Sequence, residues 1–214
     1  VQYIINPSDE WYALVRALEI KEATGGTVTL INVGTAGNDA IIRKGLAIGG
    51  DSAVRIDCEP ADSFEVAKHI ADYAKANAYD LVFTGKETID YNGSEVAGMI
   101  AELMDLPYVS LVSKLDFAGT TATLERDIEG GKEVVEVATP FVMSASKGLA
   151  EQRIPNMKGI MMAKRKPLNV VDEIPVAARR AVQKYILPAP KSAVKLISPD
   201  NVEELVNLLH NEAK

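Results

Sequence analysis

The sequence has few of the residues that form covalent cross-links or metal centres. Cys58 is the only cysteine among 214 residues, and His69 and His210 are the only histidines. A single cysteine excludes a disulfide within the chain and a metal site built from cysteines, and it suits a reducing compartment. We therefore expect no metal site, and we interpret both histidines as ordinary helix residues.

Long apolar runs and excess positive charge are also absent. No apolar run reaches the roughly 18 residues that a membrane-spanning helix requires. The 23 Lys and Arg residues are outnumbered by 30 Asp and Glu residues, which gives a net charge of −7. Because an acidic chain is a poor general binder of nucleic acid, we expect no nucleic-acid partner. The hydrophobic fraction of 47% is that of an ordinary globular protein.

Helix and strand patterns alternate over the first half of the chain. Apolar spacing predicts helices in residues 6–26, 38–50, 62–78 and 94–107, and short apolar runs predict strands at 27–34, 53–58 and 80–85. Ser8 is the predicted N-cap of the first helix. Strands separated by single helices predict an α/β fold, with a parallel sheet flanked by helices.

After Pro107 the pattern changes to an added β-hairpin region and then to an extended arm. Four short strands are predicted at 108–115, 120–128, 132–138 and 140–146, with a turn at 129–132. Periodicity fades between residues 147 and 190, a stretch that holds five of the ten prolines. A last helix is predicted at 198–213, capped by Ser198. We therefore divide the chain into an α/β domain, 1–146, and a long C-terminal arm ending in a helix, 147–214.

Three loops should lie at one edge of the sheet, beyond the carboxyl ends of its strands, where open parallel sheets bind ligands. They are residues 6–9, 32–36 and 85–94, and the third is the most polar. The third loop leads into a helix start, whose free N–H groups can bind an anion. A plain loop built from turn-forming Asp, Asn and Gly accounts for the same composition, so spacing alone leaves both interpretations open.

Five stretches, taken in order, resemble the beta subunit of electron transfer flavoproteins. They are NPSDEWYALVRALEIKE, IIRKGLAIGGDSAVRID, DLVFTGKETIDYNGSEVAGMIAELMDLP, DIEGGKEVVEVATPFVMSASKGLAEQR and IPNMKGIMMAKRKP. The likeness covers nearly the whole chain, and the combination is far more specific than any one stretch.

The resemblance implies a Rossmann-like, adenine-nucleotide-binding subunit that forms a heterodimer with an alpha subunit. The alpha subunit holds most of a shared FAD, and the beta subunit carries a structural AMP. Acyl-CoA and related dehydrogenases reduce the FAD, and a membrane quinone oxidoreductase removes the electrons. Such a subunit is an electron carrier without catalytic residues of its own, found in the bacterial cytoplasm or the mitochondrial matrix. By matching position, the AMP site comprises Asn6, Pro7, Ser8, Asp9, Val33, Gly85, Lys86, Glu87, Thr88, Ile89, Asp90, Tyr91, Asn92, Gly93, Ser94, Glu95 and Val96.

The sequence departs from the family pattern at three points. Glu87 stands where the family usually has Gln, and Tyr91 stands where an acidic or small residue is common. Flavin-bifurcating relatives hold a second FAD in place of AMP but usually have a longer C-terminal tail, so we favour AMP. The family also begins with a strand upstream of the Asn6-Pro7 motif, and we expect the natural protein to have it. Its loss would leave backbone groups unpaired at ~1–3 kcal/mol each.

A basic segment precedes the last helix. Residues 147–166 carry six basic side chains and one acidic one, which is +5 in a chain of −7 and leaves −12 for the rest. Such a segment can steer an acidic partner, although a solvated loop gives the same composition. The resemblance places a partner-recognition loop here, with Met157 as its apolar anchor rather than a buried core methionine. Its residues are Arg153, Ile154, Pro155, Asn156, Met157, Lys158, Gly159 and Ile160.

Two other classes of protein remain open on the residues alone. A universal-stress-type sensor of adenine nucleotides has the same α/β core, but it lacks a long basic arm rich in proline. An enzyme that adenylates its substrate through an ATP pyrophosphatase loop needs an S-G-G-x-D-S run, and no stretch of this sequence matches it.

Overall fold

The structure, a computed structural model, describes residues 3–191 and 193–212. The described chain falls into two compact units, one ending at Ala181 and the other beginning at Val182. Within the described residues, no helix is long and apolar enough to cross a bilayer.

The first unit is a mixed α/β structure. Its helices are α1 (Glu10–Thr24), α2 (Asp39–Ile48), α3 (Ser63–Ala76), α4 (Val96–Met104) and α5 (Met157–Ala163). Its strands are β1 (Thr29–Val33), β2 (Ser52–Asp57), β3 (Leu81–Gly85), β4 (Tyr108–Ala118), β5 (Thr121–Ile128), β6 (Gly131–Ala138), β7 (Phe141–Ala145) and β8 (Leu168–Asp172). A short 3-10 helix, Ala36–Asn38, leads into α2.

The strands form two sheets. Parallel strands β1, β2 and β8 make one sheet in the order β1-β2-β8. The other has the order β3-β7-β4-β5-β6, in which β3, β7 and β4 are parallel and β4, β5 and β6 are antiparallel. The prediction of an α/β fold with a parallel sheet and flanking helices is confirmed, and the predicted hairpin turn joins β5 to β6.

Helix α3 packs on both sheets, because Ile70 contacts two apolar clusters. One contains Val82 of β3, and the other contains Val33 and Val54 of β1 and β2. Among the described strands, β1 and β3 each pair along one side only, and their residues are mostly half-buried. The upstream strand expected from the resemblance would suit such edges, and it stays a prediction.

Two elements lie in the stretch where the periodicity of the sequence fades. Helix α5 packs on α2 so closely that a Cβ on Gly159 would lie 2.3 Å from the Ala47 carbonyl oxygen. Arg43 of α2 donates to the carbonyl oxygens of Ala163 and Lys166, at 2.7 and 2.6 Å. Long-range contacts of this kind leave no periodic pattern in the sequence, so α5 and β8 were not predicted.

The end of the first unit lies along the start of α3. Asp62 caps α3 by accepting the Glu65 N–H at 2.9 Å, and its other oxygen accepts the N–H groups of Arg179 and Arg180, at 2.5 and 2.9 Å. The Arg179 guanidinium stacks 3.8 Å from the centre of the Phe64 ring. One carboxylate therefore fixes both a helix start and the segment that ends the unit.

The second unit contains helix α6, Val202–Asn211. The prediction that Ser198 caps this helix is wrong, because Asn201 is the N-cap. The Asn201 side chain accepts the Glu204 N–H and donates to the Glu204 carboxylate. Ser198 lies in the preceding turn, where its carbonyl oxygen accepts the Asn201 N–H at 2.9 Å. The apolar residues of α6 are about half exposed: Val202, Leu205, Val206 and Leu209. The predicted last helical residue, Ala213, lies outside the described residues.

Candidate nucleotide site

The first predicted loop is a turn closed by its own side chains. The Asn6 amide donates to Asp9 at 3.0 Å and accepts the Ser8 N–H at 3.0 Å, while the Asn6 N–H donates to Glu10 at 2.8 Å. Asn6 and Asp9 are buried. The prediction that Ser8 is the N-cap of α1 is wrong. Ser8 lies within this turn, and Asp9 is the N-cap. We call residues 6–10 the α1 turn.

The end of β3 meets the α1 turn at Gly85. A Cβ on Gly85 would lie 2.7 Å from Glu10 Cγ, 3.0 Å from the Glu10 nitrogen and 3.2 Å from Asp9 Cβ. Only glycine lets the strand approach the helix start at this distance. The fold therefore brings two of the three predicted loops together.

The remaining predicted loop, residues 32–36, is closed by a separate set of contacts. The Asn38 amide donates to the Asn32 side chain at 2.9 Å, and a Cβ on Gly34 would collide with Asn38. Val33 is buried in an apolar cluster with Val54, Ile56 and Cys58. A ligand at this edge would meet Val33 through its backbone only.

The polar loop after β3 is held by Glu87. Lys86 Nζ lies 2.9 Å from one Glu87 oxygen, and the Ser94 hydroxyl donates to the other at 3.1 Å. Lys86 and then Ser94 lower the pKa of the Glu87 carboxyl. Glu87 thus pairs with Lys86. The positive charge of Lys86 would offset the repulsion between the Glu87 carboxylate and a nearby phosphate.

The same loop has an unusual backbone before α4. Asn92 and Ser94 have φ values of 50° and 52°, in the left-handed region that a serine seldom adopts. Glu95 is the N-cap of α4, so Ser94 does not cap the helix. Strained loop residues of this kind are often found at ligand sites. Residues 88–94 are all exposed.

Carboxylates dominate the electrostatics where the two loops meet. Burial raises the pKa of Asp9 and that of Glu10, and Lys86 partly opposes the rise at Asp9. Arg180 reaches Glu95 from the end of the first unit and adds a second cation near the loop. Nothing in the sequence indicated Arg180, because it is separated from Glu95 by 85 positions. The edge offers carboxylate acceptors for hydroxyl groups, together with cations for a phosphate.

The predicted partner-recognition loop is a second candidate site. Met157 is 74% exposed and begins α5, beside Ile154, which is 89% exposed. Asn156 caps α5 by accepting the Gly159 N–H at 2.7 Å. Arg153 forms a two-point ion pair with Glu22, at 2.6 and 2.8 Å. The loop therefore presents exposed apolar side chains, while the charge of Arg153 is paired with Glu22 within the chain.

Comparison with known proteins shows similarity to one family over most of the chain. Residues 1–176 match the family model of the electron transfer flavoprotein domain. The electron transfer flavoprotein subunit beta of Bacillus subtilis (strain 168) is 37% identical, over 100% of this chain and 88% of the relative. Protein FixA of Azotobacter vinelandii is 31% identical over 93% of this chain and 74% of the relative. The electron transfer flavoprotein subunit beta of Homo sapiens is 30% identical over 80% of this chain and 69% of the relative.

The raised pKa of Glu10 gives a test of the α1 turn. Glu10→Gln keeps an oxygen that can accept the Asn6 N–H, and it removes a charge that burial disfavours. The ionised Glu10 carboxylate lowers the free energy of unfolding at neutral pH. This loss vanishes as the pH falls below 4.5, the ordinary pKa of a glutamate side chain. The variant should therefore raise the free energy of unfolding at about pH 7 and change it little at about pH 4. Urea unfolding at both pH values measures this.

The matched control is Glu129→Gln, in the exposed turn between β5 and β6. It should leave the free energy of unfolding nearly unchanged at either pH. A Glu10→Gln variant that is less stable than the parent at neutral pH would contradict the assignment of a buried, unfavourable charge.

Proposed function

We propose, since this chain belongs to the electron transfer flavoprotein family, that it is the beta subunit of a heterodimeric electron carrier. In this role it accepts electrons from acyl-CoA and related dehydrogenases and passes them to a membrane quinone oxidoreductase. The redox group is an FAD held mainly by the alpha subunit, and this chain encloses one side of it. A flavin supplies the electron chemistry, and the protein supplies binding and orientation.

We propose further that this chain binds AMP as a structural ligand between the α1 turn and the loop after β3. The observation that carries this proposal is the approach of Gly85 to Asp9 and Glu10. It places two polar loops at the carboxyl end of a parallel strand, the usual ligand edge of an open sheet. Backbone N–H groups of residues 86–96 would bind the phosphate, with Lys86 as the nearby cation.

The carboxylates suit the other parts of the nucleotide. Asp9 and Asp90 are acceptors, so they fit the ribose hydroxyls and the adenine amino group better than they fit a phosphate. Glu87 stays paired with Lys86 and Ser94, and so adds no uncompensated negative charge. A second FAD, as in bifurcating relatives, would use the same adenosine contacts, and it is the other outcome of the test below.

The nucleotide content of the complex tests this proposal. The chain is coexpressed with its alpha subunit, the complex is denatured, and the released nucleotides are identified by mass spectrometry. FAD and AMP in equal amounts are expected. Two FAD per heterodimer would indicate the bifurcating type, and a complex without a second adenine nucleotide would contradict the site.

A pair of glycine variants links that result to the geometry. Gly85→Ala should lower the AMP content, because the new Cβ must displace the start of α1. Gly98→Ala in α4 is the control, since its Cβ would meet Tyr108 at an ordinary contact distance of 3.6 Å. Equal AMP content in both variants would show that the approach of the two loops is not needed.

We propose that the surface around Met157 docks the dehydrogenases. Ile154, Met157 and Met161 are 89%, 74% and 66% exposed, so three large apolar side chains are exposed within eight residues. Flexible methionine side chains adapt to different partner surfaces. The neighbouring Lys158 adds positive charge for an acidic partner. A carrier that serves several dehydrogenases needs such an adaptable contact.

Met157→Ala should slow reduction of the flavin by a dehydrogenase about tenfold at subsaturating concentration, the effect of losing ~1.4 kcal/mol of docking energy. The heterodimer should keep its mass and its FAD content. Stopped-flow flavin absorbance measures the rate. Val134→Ala, which truncates another exposed apolar residue, on β6, is the control. Unchanged transfer in Met157→Ala would show that the anchor lies elsewhere.

A further inference from the structure

Three side chains with metal-binding atoms meet on the side of the first unit formed by β2, α3 and β8. Cys58 follows β2, His69 lies in α3, and Glu173 follows β8. One ligand atom from each lies within 4.8 Å of the other two. Cys58 and His69 are 5% and 2% exposed, whereas Glu173 is exposed. The proposed nucleotide and docking roles use none of these residues.

The hydrogen bonds of His69 fix its tautomer. Its Nδ1 lies 2.7 Å from the carbonyl oxygen of Glu65, which can only accept, so Nδ1 carries the proton. The Nε2 atom therefore has a lone pair, which accepts the Ile174 N–H at 3.2 Å. A backbone carbonyl on Nδ1 is the common arrangement for a histidine whose Nε2 binds a metal ion.

A second carboxylate lies beside the thiol. Cys58 Sγ is 3.6 Å from Glu65 Oε1, and the other Glu65 oxygen accepts the Ala61 N–H at 2.7 Å. Burial, with Glu173 and Glu65 close by, raises the pKa of the Cys58 thiol to about 12. Glu65 is thus a neighbour of the cluster and not one of its ligand residues.

We propose that Cys58, His69 and Glu173 form a binding site for one divalent transition-metal ion of the zinc class. One sulfur, one imidazole nitrogen and one carboxylate oxygen are ligands that Zn²⁺ accepts in tetrahedral geometry, with a water molecule in the fourth position. The ligand atoms of the three residues lie within 4.8 Å of one another, and a tetrahedral site needs separations of about 3.3–3.8 Å for Zn–ligand bonds of about 2.0–2.3 Å, so binding requires shifts of no more than about 1.5 Å.

Binding the ion exchanges charges and hydrogen bonds in a balanced way. The Cys58 thiol loses its proton to solvent, and the thiolate and the Glu173 carboxylate then balance the charge of +2 on the ion. His69 stays neutral, and its Nε2 lone pair moves from the Ile174 N–H to the metal ion. Ile174 and Glu173 are exposed and lie outside regular secondary structure, so this segment can adjust. The ion would join β2, α3 and the segment after β8.

The test uses the full chain in complex with its alpha subunit, purified without a histidine tag and treated with a chelator. Co²⁺ is the probe, because a cobalt–thiolate bond gives a charge-transfer absorption in the near ultraviolet. One Co²⁺ per chain, with this absorption and release of one proton, is the expected result. Added Zn²⁺ should abolish the absorption by displacing the Co²⁺.

Two variants and a control assign the ligands. Cys58→Ser should remove the thiolate absorption. Glu173→Gln changes an exposed residue, so the fold should persist while Co²⁺ affinity falls by about 100-fold, since even outer partners of a metal site contribute about 10–100-fold. Asp172→Asn removes the neighbouring carboxylate of β8, which is not in the cluster, and should bind Co²⁺ like the parent. Absence of Co²⁺ binding in the parent, or unchanged binding in Glu173→Gln, would overturn the proposal.

Discussion

The contact on which the candidate nucleotide site depends is the approach of the Gly85 backbone to the start of α1. This approach places the carboxyl end of β3 against Asp9 and Glu10, at distances that no side chain larger than hydrogen permits. It aligns the α1 turn with the loop before α4. The turn itself is closed by Asn6, whose side-chain amide donates to Asp9 and accepts the Ser8 N–H.

That geometry suits binding better than bond-making. The groups at this edge are carboxylates with raised pKa, a Lys86–Glu87 pair and backbone amides of a loop with left-handed residues. They can hold a nucleotide in place, while the electron chemistry of the family belongs to a flavin. The exposed apolar start of α5 lies on a different element, so the proposed nucleotide binding and the proposed partner docking would use separate parts of the fold.

The local patterns of the sequence predicted most helices and strands, because apolar spacing reflects which face of an element is buried. They failed where distant residues decide the structure. Helix α5 depends on Arg43 and on the Gly159 contact with α2, and β8 depends on pairing with β2. The same limit applies to the sites. The Gly85 loop was visible as a polar βα loop, whereas Arg180 and the cluster around Cys58 are assembled from segments far apart in the chain.

Photolabelling with an azido analogue of AMP tests the central claim most directly. The complex is rebuilt from its separated subunits with the analogue, irradiated, and digested for peptide mapping. We expect the label within the α1 turn or residues 85–96, with loss of labelling when excess AMP is present. Labelling that AMP does not compete for, or that falls outside these two segments, would contradict a nucleotide site at the meeting of β3 and α1.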